Sequence, residues 1–453
     1  MKLPMPAPTT NEIVETVDLS RKIALLMQAG PTPGGKYLHW DELRHRQPPT
    51  DLTHDEWWAG VKLARSTLLK SVPLLDQKGA AFRYMLPDSV LRFLHQIDQN
   101  ASGGIQLAEE VTNPSTRDRY IINSLIEESI TSSQLEGAST TAEVARDMIR
   151  SGRRPIDRSE HMILNNFNAM RFVQEHRGEA LTPALVFELH RLVTDGTLDG
   201  SNRAGTFRTD DDNIVVSDYV GNTLHVPPRA AELPDRLEAM CAFANSRSDE
   251  GDFMHPVLRA IILHFWLAFD HPFVDGNGRT ARALFYWSML AQGYWLAEYL
   301  SISRILKEAP SQYVRAFLLT ETDENDLTYF LLYQLRVIVR AIEDLKTYLR
   351  KKMSELREVQ ALLKRSADLN HRQLALLSHA LKHPGRQYTV QSHQTSHGVT
   401  TATARTDLLD LALRHLLEQR KAGRRFVFTA PADLVKRLSG STAAKPRAAP
   451  APR

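Results

Sequence analysis

Apolar residues along this chain recur mostly three and four positions apart, the spacing of helices that bury one face. A short helical stretch spans Arg21 to Gln28 and breaks at Gly30-Pro-Thr-Pro-Gly-Gly35. From Trp40 to about Ile97 the pattern reads as helical, with Trp57, Trp58, Val61, Leu63 and Leu68 on the face expected to be buried. A helix is predicted from Ser115 to Leu135, opened by a capping Ser and ended by Gly137. Further helices are predicted at 161–175, 183–196, 229–247, 255–270 and about 308–320. A long one runs from Asp326 to about Ser366, with a length that suits a strut between domains or a helical dimer contact.

One β signal interrupts this series. Asn213-Ile-Val-Val216 and Leu224-His-Val226 flank a Gly221-Asn222 turn, and Pro227-Pro228 close the hairpin. Near the carboxyl end the pattern gives helices at 371–382, about 389–396 and 400–417. A β-wing then places Leu416-Leu417 and Phe426-Val-Phe428 around Lys421-Ala-Gly-Arg-Arg425. There is no internal repeat, and the fold class read from this order is mainly α.

Composition narrows the picture only modestly. At 453 residues the chain calls for two or three domains. A formal net charge of +3 demands neither nucleic acid nor an anionic membrane as a partner. The lone cysteine, Cys241, excludes an intrachain disulfide and points to a reducing compartment. The amino terminus lacks an apolar secretion core and no apolar run is of membrane-spanning length, so a cytoplasmic location is expected.

The chemistry concentrates in His271-Pro-Phe-Val-Asp-Gly-Asn-Gly-Arg-Thr-Ala-Arg282. A strongly apolar helix precedes this string and another, Thr280 to Leu290, follows it. Gly276-Asn277-Gly278 therefore sits at a helix amino terminus, where free N–H groups and the helix dipole attract anions. Arg279 and Arg282, three apart, can clamp phosphates, and Asp275 is a hard oxygen ligand suited to Mg²⁺. His271 can take a proton near neutral pH. Two competing motifs fail. Gly30 to Lys36 resembles a P-loop but has Tyr37 where Ser or Thr is required. His393 and His397 have metal-ligand spacing without a third ligand, and read as two exposed histidines in a turn.

The string from His271 to Arg282 resembles the Fic signature at every specified position, and the resemblance extends over roughly 110–345. It implies an all-helical Fic core with a β-hairpin flap, and a protein adenylyltransferase using ATP and Mg²⁺. His271 would be the general base toward a Ser, Thr or Tyr hydroxyl of a target protein, and Asp275 the Mg²⁺ ligand. Gly276, Asn277, Gly278, Thr280 and Ala281 would form the nucleotide loop, with Arg279 and Arg282 on the outer phosphates and Phe273 anchoring the loop. Gly205-Thr-Phe-Arg208 and the segment Ile214, Val215, Val216 and Ser217 resemble the flap that aligns the target, and Tyr313 is a candidate contact for the nucleotide base. The intact Gly276-Asn277-Gly278 implies transfer of AMP rather than of the terminal phosphate.

Ser132-Ser-Gln-Leu-Glu136-Gly137 resembles the family's inhibitory motif, whose Glu pairs with the second arginine, here Arg282. Some relatives also use this Glu to position water and remove AMP. The implied domains are an accessory helical region (1–110), the Fic domain (111–345, inhibitory helix about 131–137), a linker helix (346–368), a winged helix-turn-helix-like domain (369–440) and a disordered tail (441–453). Arg405, Arg414, Arg420, Lys421, Arg424 and Arg425 are candidates for phosphate contacts in the winged domain, which in such proteins serves DNA binding or protein docking. Two alternatives stand beside this reading. One is transfer of UMP or phosphocholine from another nucleotide; the other is a DNA-binding regulator with a nucleotide-sensing core.

Overall fold

The computed structural model describes residues 3–12, 19–101, 114–199, 203–218, 220–246, 253–364, 369–382, 385–422 and 425–440. It divides into two units, one ending at Leu345 and the other starting at Lys346. The expected tail at 441–453 and Arg424 lie outside the described residues.

The first unit opens with α1 (Leu19–Ala29), α2 (Trp40–Leu43) and α3 (His54–Ser66). Thr53 and Glu56 form a reciprocal capping box that starts α3. Gly60 permits α1 to lie directly against α3, since a Cβ there would stand 2.6 Å from the Ala29 Cβ. Trp57, Trp58 and Val61 are buried as expected, whereas Leu68 is exposed.

The helical reading of 40–97 is corrected beyond Leu68. Strands β1 (Lys70–Leu75) and β2 (Ala81–Tyr84) form an antiparallel hairpin ahead of α4 (Asp88–Ala101). Val72, Leu74, Phe82 and Tyr84 alternate inward while Pro73 faces solvent. Asp76 makes the turn: its Oδ1 accepts the N–H groups of Lys78 and Ala80, each at 2.8 Å. Strand β2 then bonds to the segment ahead of the long helix, with Leu327 N–H donating to the Arg83 carbonyl at 2.8 Å. Lys62 to Asp323 (2.7 Å) and Arg65 to Tyr329 (2.8 Å) add buried ties across the same junction.

Next come α5 (Pro114–Leu135), α6 (Ala142–Ser151), α7 (Arg158–Glu175) and α8 (Pro183–Thr194). Strands β3 (Val216–Ser217) and β4 (Thr223–His225) follow, then α9 (Leu233–Asn245), α10 (Pro256–Asp270) and α11 (Asn277–Ala291). The hairpin is shorter than expected. Asn213 takes a left-handed conformation (φ 49°) and the register slips between Val216 and Ser217, so Ile214 and Val215 precede the paired residues. Residues Val257 to Leu267 of α10 and Arg279 to Leu290 of α11 are all buried. Helices enclosed on every face belong at a centre, and α5, α7, α8 and α9 pack around this pair.

A short α12 (Ile302–Glu308) ends where Pro310 supplies no N–H to continue it, and α13 (Pro310–Glu321) is the helix expected at about 308–320. The long helix α14 (Thr328–Lys364) matches its prediction closely. Among the described residues no helix is long and apolar enough to cross a membrane.

The second unit contains α15 (His371–Lys382), β5 (Gln387–Tyr388), α16 (Val390–His397), α17 (Thr401–Leu413), β6 (Glu418–Ala422), β7 (Arg425–Thr429) and α18 (Leu434–Gly440). The sheet order is β5-β7-β6, with one strand, β5, that the sequence pattern missed. Helix α17 stops at Leu413, short of the predicted 417, because the chain turns through a left-handed His415 (φ 57°). Asp407 joins the three helices, accepting from Asn370 (2.8 Å), Arg372 (2.7 Å) and His393 (3.2 Å). His393 is therefore a buried helix residue, not an exposed one in a turn. Arg414 and Arg420 are exposed but paired, with Asp410 at 3.0 Å and Glu418 at 3.2 Å.

Candidate active site

The loop between α10 and α11 carries the site. His271 caps α10 in a left-handed conformation (φ 44°), its N–H donating to the Leu267 carbonyl at 3.0 Å. A non-glycine residue held there costs on the order of 1 kcal/mol, which surrounding contacts must offset. Arg208 supplies two of them: its backbone N–H donates to the Pro272 carbonyl (2.9 Å) and its Nε to the His271 carbonyl (2.8 Å). His271 is half-buried; burial pushes its pKa down to about 4, against the opposing pull of the Ala268 carbonyl. The imidazole is thus neutral near pH 7 and able to accept a proton.

Gly276 begins α11 with φ 83°, and a Cβ there would lie 2.7 Å from Thr194 Cγ2. Asn277 clamps the loop, its Oδ1 accepting the Phe273 N–H (2.9 Å) and its Nδ2 donating to the Phe273 carbonyl (2.8 Å). The Thr280 hydroxyl donates to the Gly276 carbonyl at 2.9 Å. These bonds leave the N–H groups of Asn277, Gly278 and Arg279 in the first turn without an intrahelical acceptor. Asp275 is half-exposed at the rim, with Arg158 3.4 Å and Arg279 3.5 Å from its carboxylate.

Helix α5 lays a carboxylate over this helix start. The Arg282 Nη2 donates to Glu136 Oε1 (2.8 Å) and to the Ser132 carbonyl (3.0 Å), and its Nε donates to the Ser132 hydroxyl (2.8 Å). A Cβ on Gly278 would run into the Glu136 carboxylate, which shows how closely the acid approaches the first turn of α11. Glu128 anchors α5 from two turns earlier, accepting the Ser301 hydroxyl (2.9 Å) and the Ser303 N–H (3.1 Å). Tyr313 is held by His264 (2.8 Å), a neutral histidine whose pKa burial pushes down to about 3. The flap strand β4 is pinned by His225, whose ring nitrogens meet Glu321 Oε2 and the Phe269 carbonyl, each at 2.7 Å.

The family model described as "Fic/DOC family" matches residues 180–289, which contain this loop, α10 and all but the last two residues of α11. The match places a Fic/DOC-like segment at residues 180–289 of this chain. It is similar to protein adenylyltransferase Fic from Nematostella vectensis, 28% identical over 171 residues, covering 36% of this chain and 37% of the relative. The corresponding protein of Drosophila ananassae is 38% identical over 109 residues, covering 24% and 20%. The chain thus spans well under half the length of these relatives. A Fic family protein from Desulfovibrio desulfuricans G20 shares the fold, with a TM-score of 0.52 at 20% identity over 77% of this chain and 98% of that one.

Within the Fic motif the structure sets Arg282 beside Gly278 and Glu136 but gives several other side chains other work. Asn277 serves the Phe273 backbone, Thr280 serves Gly276 with both its hydroxyl and its N–H, and Ala281 is buried, so these three side chains have other partners than the expected nucleotide. Arg279 is fully buried and donates to the Val193 carbonyl at 2.9 Å, rather than lying beside Arg282 as a second clamp. His190, Arg158 and Glu128 were not found from sequence. They come from helices distant in the chain, and no local pattern marks them.

Asp275 fits Mg²⁺ by its donor chemistry: one carboxylate at an anion-binding helix start is what this ion takes alongside phosphate oxygens and water.

Proposed function

We propose that this protein is an autoinhibited Fic-type protein adenylyltransferase that moves AMP from Mg-ATP to a Ser, Thr or Tyr hydroxyl of a target protein. The observation that carries the reading is a single loop that runs from His271, at the end of α10, to the glycine-capped start of α11. The relatives named protein adenylyltransferase support it. His271 accepts the hydroxyl proton as the target oxygen bonds to the α-phosphorus. The bond from that phosphorus to the bridging oxygen breaks, and pyrophosphate leaves. The first turn of α11 receives charge on the phosphates, and an Arg282 freed from Glu136 would bind the terminal one. Mg²⁺, held by Asp275, would neutralise phosphate charge. Ile214 to Ser217 form the edge against which an extended target segment would pair.

In the resting state Glu136 holds Arg282 and places negative charge where the terminal phosphate would go, so ATP binds unproductively. The test uses ATP labelled at either the α- or the γ-phosphate, with wild type, Glu136→Gly and His271→Ala. Label from the α position alone, strongest in Glu136→Gly and absent in His271→Ala, is expected. Label from the γ position, or from neither in Glu136→Gly, sinks the reading. Protein docking is favoured over DNA contact for the second unit, because Arg414 and Arg420 already face acidic partners.

A further inference from the structure

His190, on α8, touches three parts of the site at once. Its ring stacks on Phe273 with centroids 3.7 Å apart and planes 8° from parallel. Its Nδ1 accepts the Gly205 N–H at 2.9 Å, which leaves the proton on Nε2, and Nε2 donates to the Asp275 carbonyl at 2.9 Å. A second proton would set an N–H against the Gly205 N–H. Burial also opposes that charge and pushes the pKa down to about 4.

The Asp275 carbonyl belongs to the peptide that enters α11. In a trans peptide the C=O and N–H point in opposite directions. With the carbonyl on His190, the Gly276 N–H points the other way and meets the Asp275 carboxylate at 2.6 Å. Reversing this peptide would turn a carbonyl oxygen toward the start of α11, where its partial negative charge would repel an anion. Gly276, at φ 83°, has the freedom to take other orientations, so the donor on His190 has something to decide.

We infer that His190 is a positioning residue: its Nε2–H holds the Asp275 carbonyl turned away from the helix start that would receive the phosphates of a bound nucleotide, with the Gly276 N–H left to steady the Asp275 carboxylate. The inference rests on the nucleotide site proposed above. It makes the donor at Nε2 the operative part of the side chain. The stack on Phe273 and the bond from Gly205 serve to aim it.

The experiment uses the full chain carrying Glu136→Gly, with ADP and Mg²⁺ as the calorimetric probe and ATP transfer as a second readout. His190→Gln reaches the Nε2 position and keeps a donor. His190→Asn reaches only the Nδ1 position and keeps the bond to Gly205. His190→Phe keeps the stack and neither bond. Gln is expected to stay within about threefold of the parent, while Asn and Phe weaken ADP binding and raise KM for ATP by about tenfold. Equal affinities for Gln and Asn overturn the inference. So does parent-like binding by Phe, or a loss confined to thermal stability in all three. If the Asn variant does not fold, Gln against Phe makes the same comparison. A parent that binds ADP but transfers no α-label defeats the functional reading alone, and the affinity ranking still tests His190.

Discussion

Glu136 and Arg282 lie 146 residues apart in the chain and 2.8 Å apart in the fold. The carboxylate stands over the first turn of α11, the point where the helix dipole and free N–H groups most favour negative charge. A phosphate would therefore compete with Glu136 for both the guanidinium and the helix start.

Removing that competitor has a measurable consequence. Glu136→Gly is expected to raise transfer of α-labelled phosphate about tenfold or more, the scale of one charge-assisted hydrogen bond. Ser132→Ala removes the acceptor of Arg282 Nε but leaves the Ser132 carbonyl and Glu136 in place, so its increase should be smaller. Labelling rates of the three proteins at equal concentration check the order.

The pH profile of transfer by Glu136→Gly tests the state of His271. Its pKa sits near 4, below the ordinary histidine value of 6.5, so the base form is present throughout the neutral range. The rate should show no limb near 6.5 from this group and should fall only as pH approaches about 4. A limb centred near the ordinary histidine value would contradict the burial of His271.

Stability should weaken in mild acid. His39 and His190 have pKa values near 4 and His264 near 3, each lowered mainly by burial. The unfolded chain therefore binds more protons than the folded one as pH falls below 6.5. Up to about 1.4 kcal/mol per histidine is lost per pH unit in that window. His225 has the opposite sign. Burial opposes its charge, but Glu321 and the Phe269 carbonyl raise its pKa, and its contribution is lost as pH rises through that value. Urea midpoints measured from neutral to mildly acidic pH should fall, and this loss levels off only once the buried histidines are protonated in both states.

Asp407 offers a test confined to the second unit. Burial works against its charge, yet hydrogen bonds from Arg372, Asn370 and His393 hold its pKa down at about 2. Asp407→Ala leaves the Arg372 guanidinium and two polar side chains without their acceptor and should cost about 3 kcal/mol. Denaturation of the variant should show an early transition, while ADP binding at the first unit is unchanged.

Contiguous chemistry was legible without coordinates. The loop from His271 to Arg282 is local: a helix end, a turn and a helix start are all encoded within twelve residues. Long periodic helices such as α14 and α15 were legible for the same reason. The β1–β2 hairpin was not, because Trp57 to Leu68 set a helical expectation that masked the alternation of Val72 and Leu74 and the turn at Asp76. The wing order was readable, but the short strand β5 carried too few residues to declare itself.

The sequence by itself determined that a base, a carboxylate, two glycines and an arginine share one loop at a helix amino terminus, and that a segment resembling an inhibitory motif, Ser132 to Gly137, precedes them. Backbone periodicity and side-chain chemistry are local properties, so they survive without coordinates. Only the tertiary structure decided how each polar group is spent. It turned Asn277 onto Phe273 and Arg279 onto Val193, brought Glu136 to Arg282, and placed His190 behind the Asp275 carbonyl. Those choices follow from burial, since a polar group removed from water must find its partner among whatever segments the fold brings beside it.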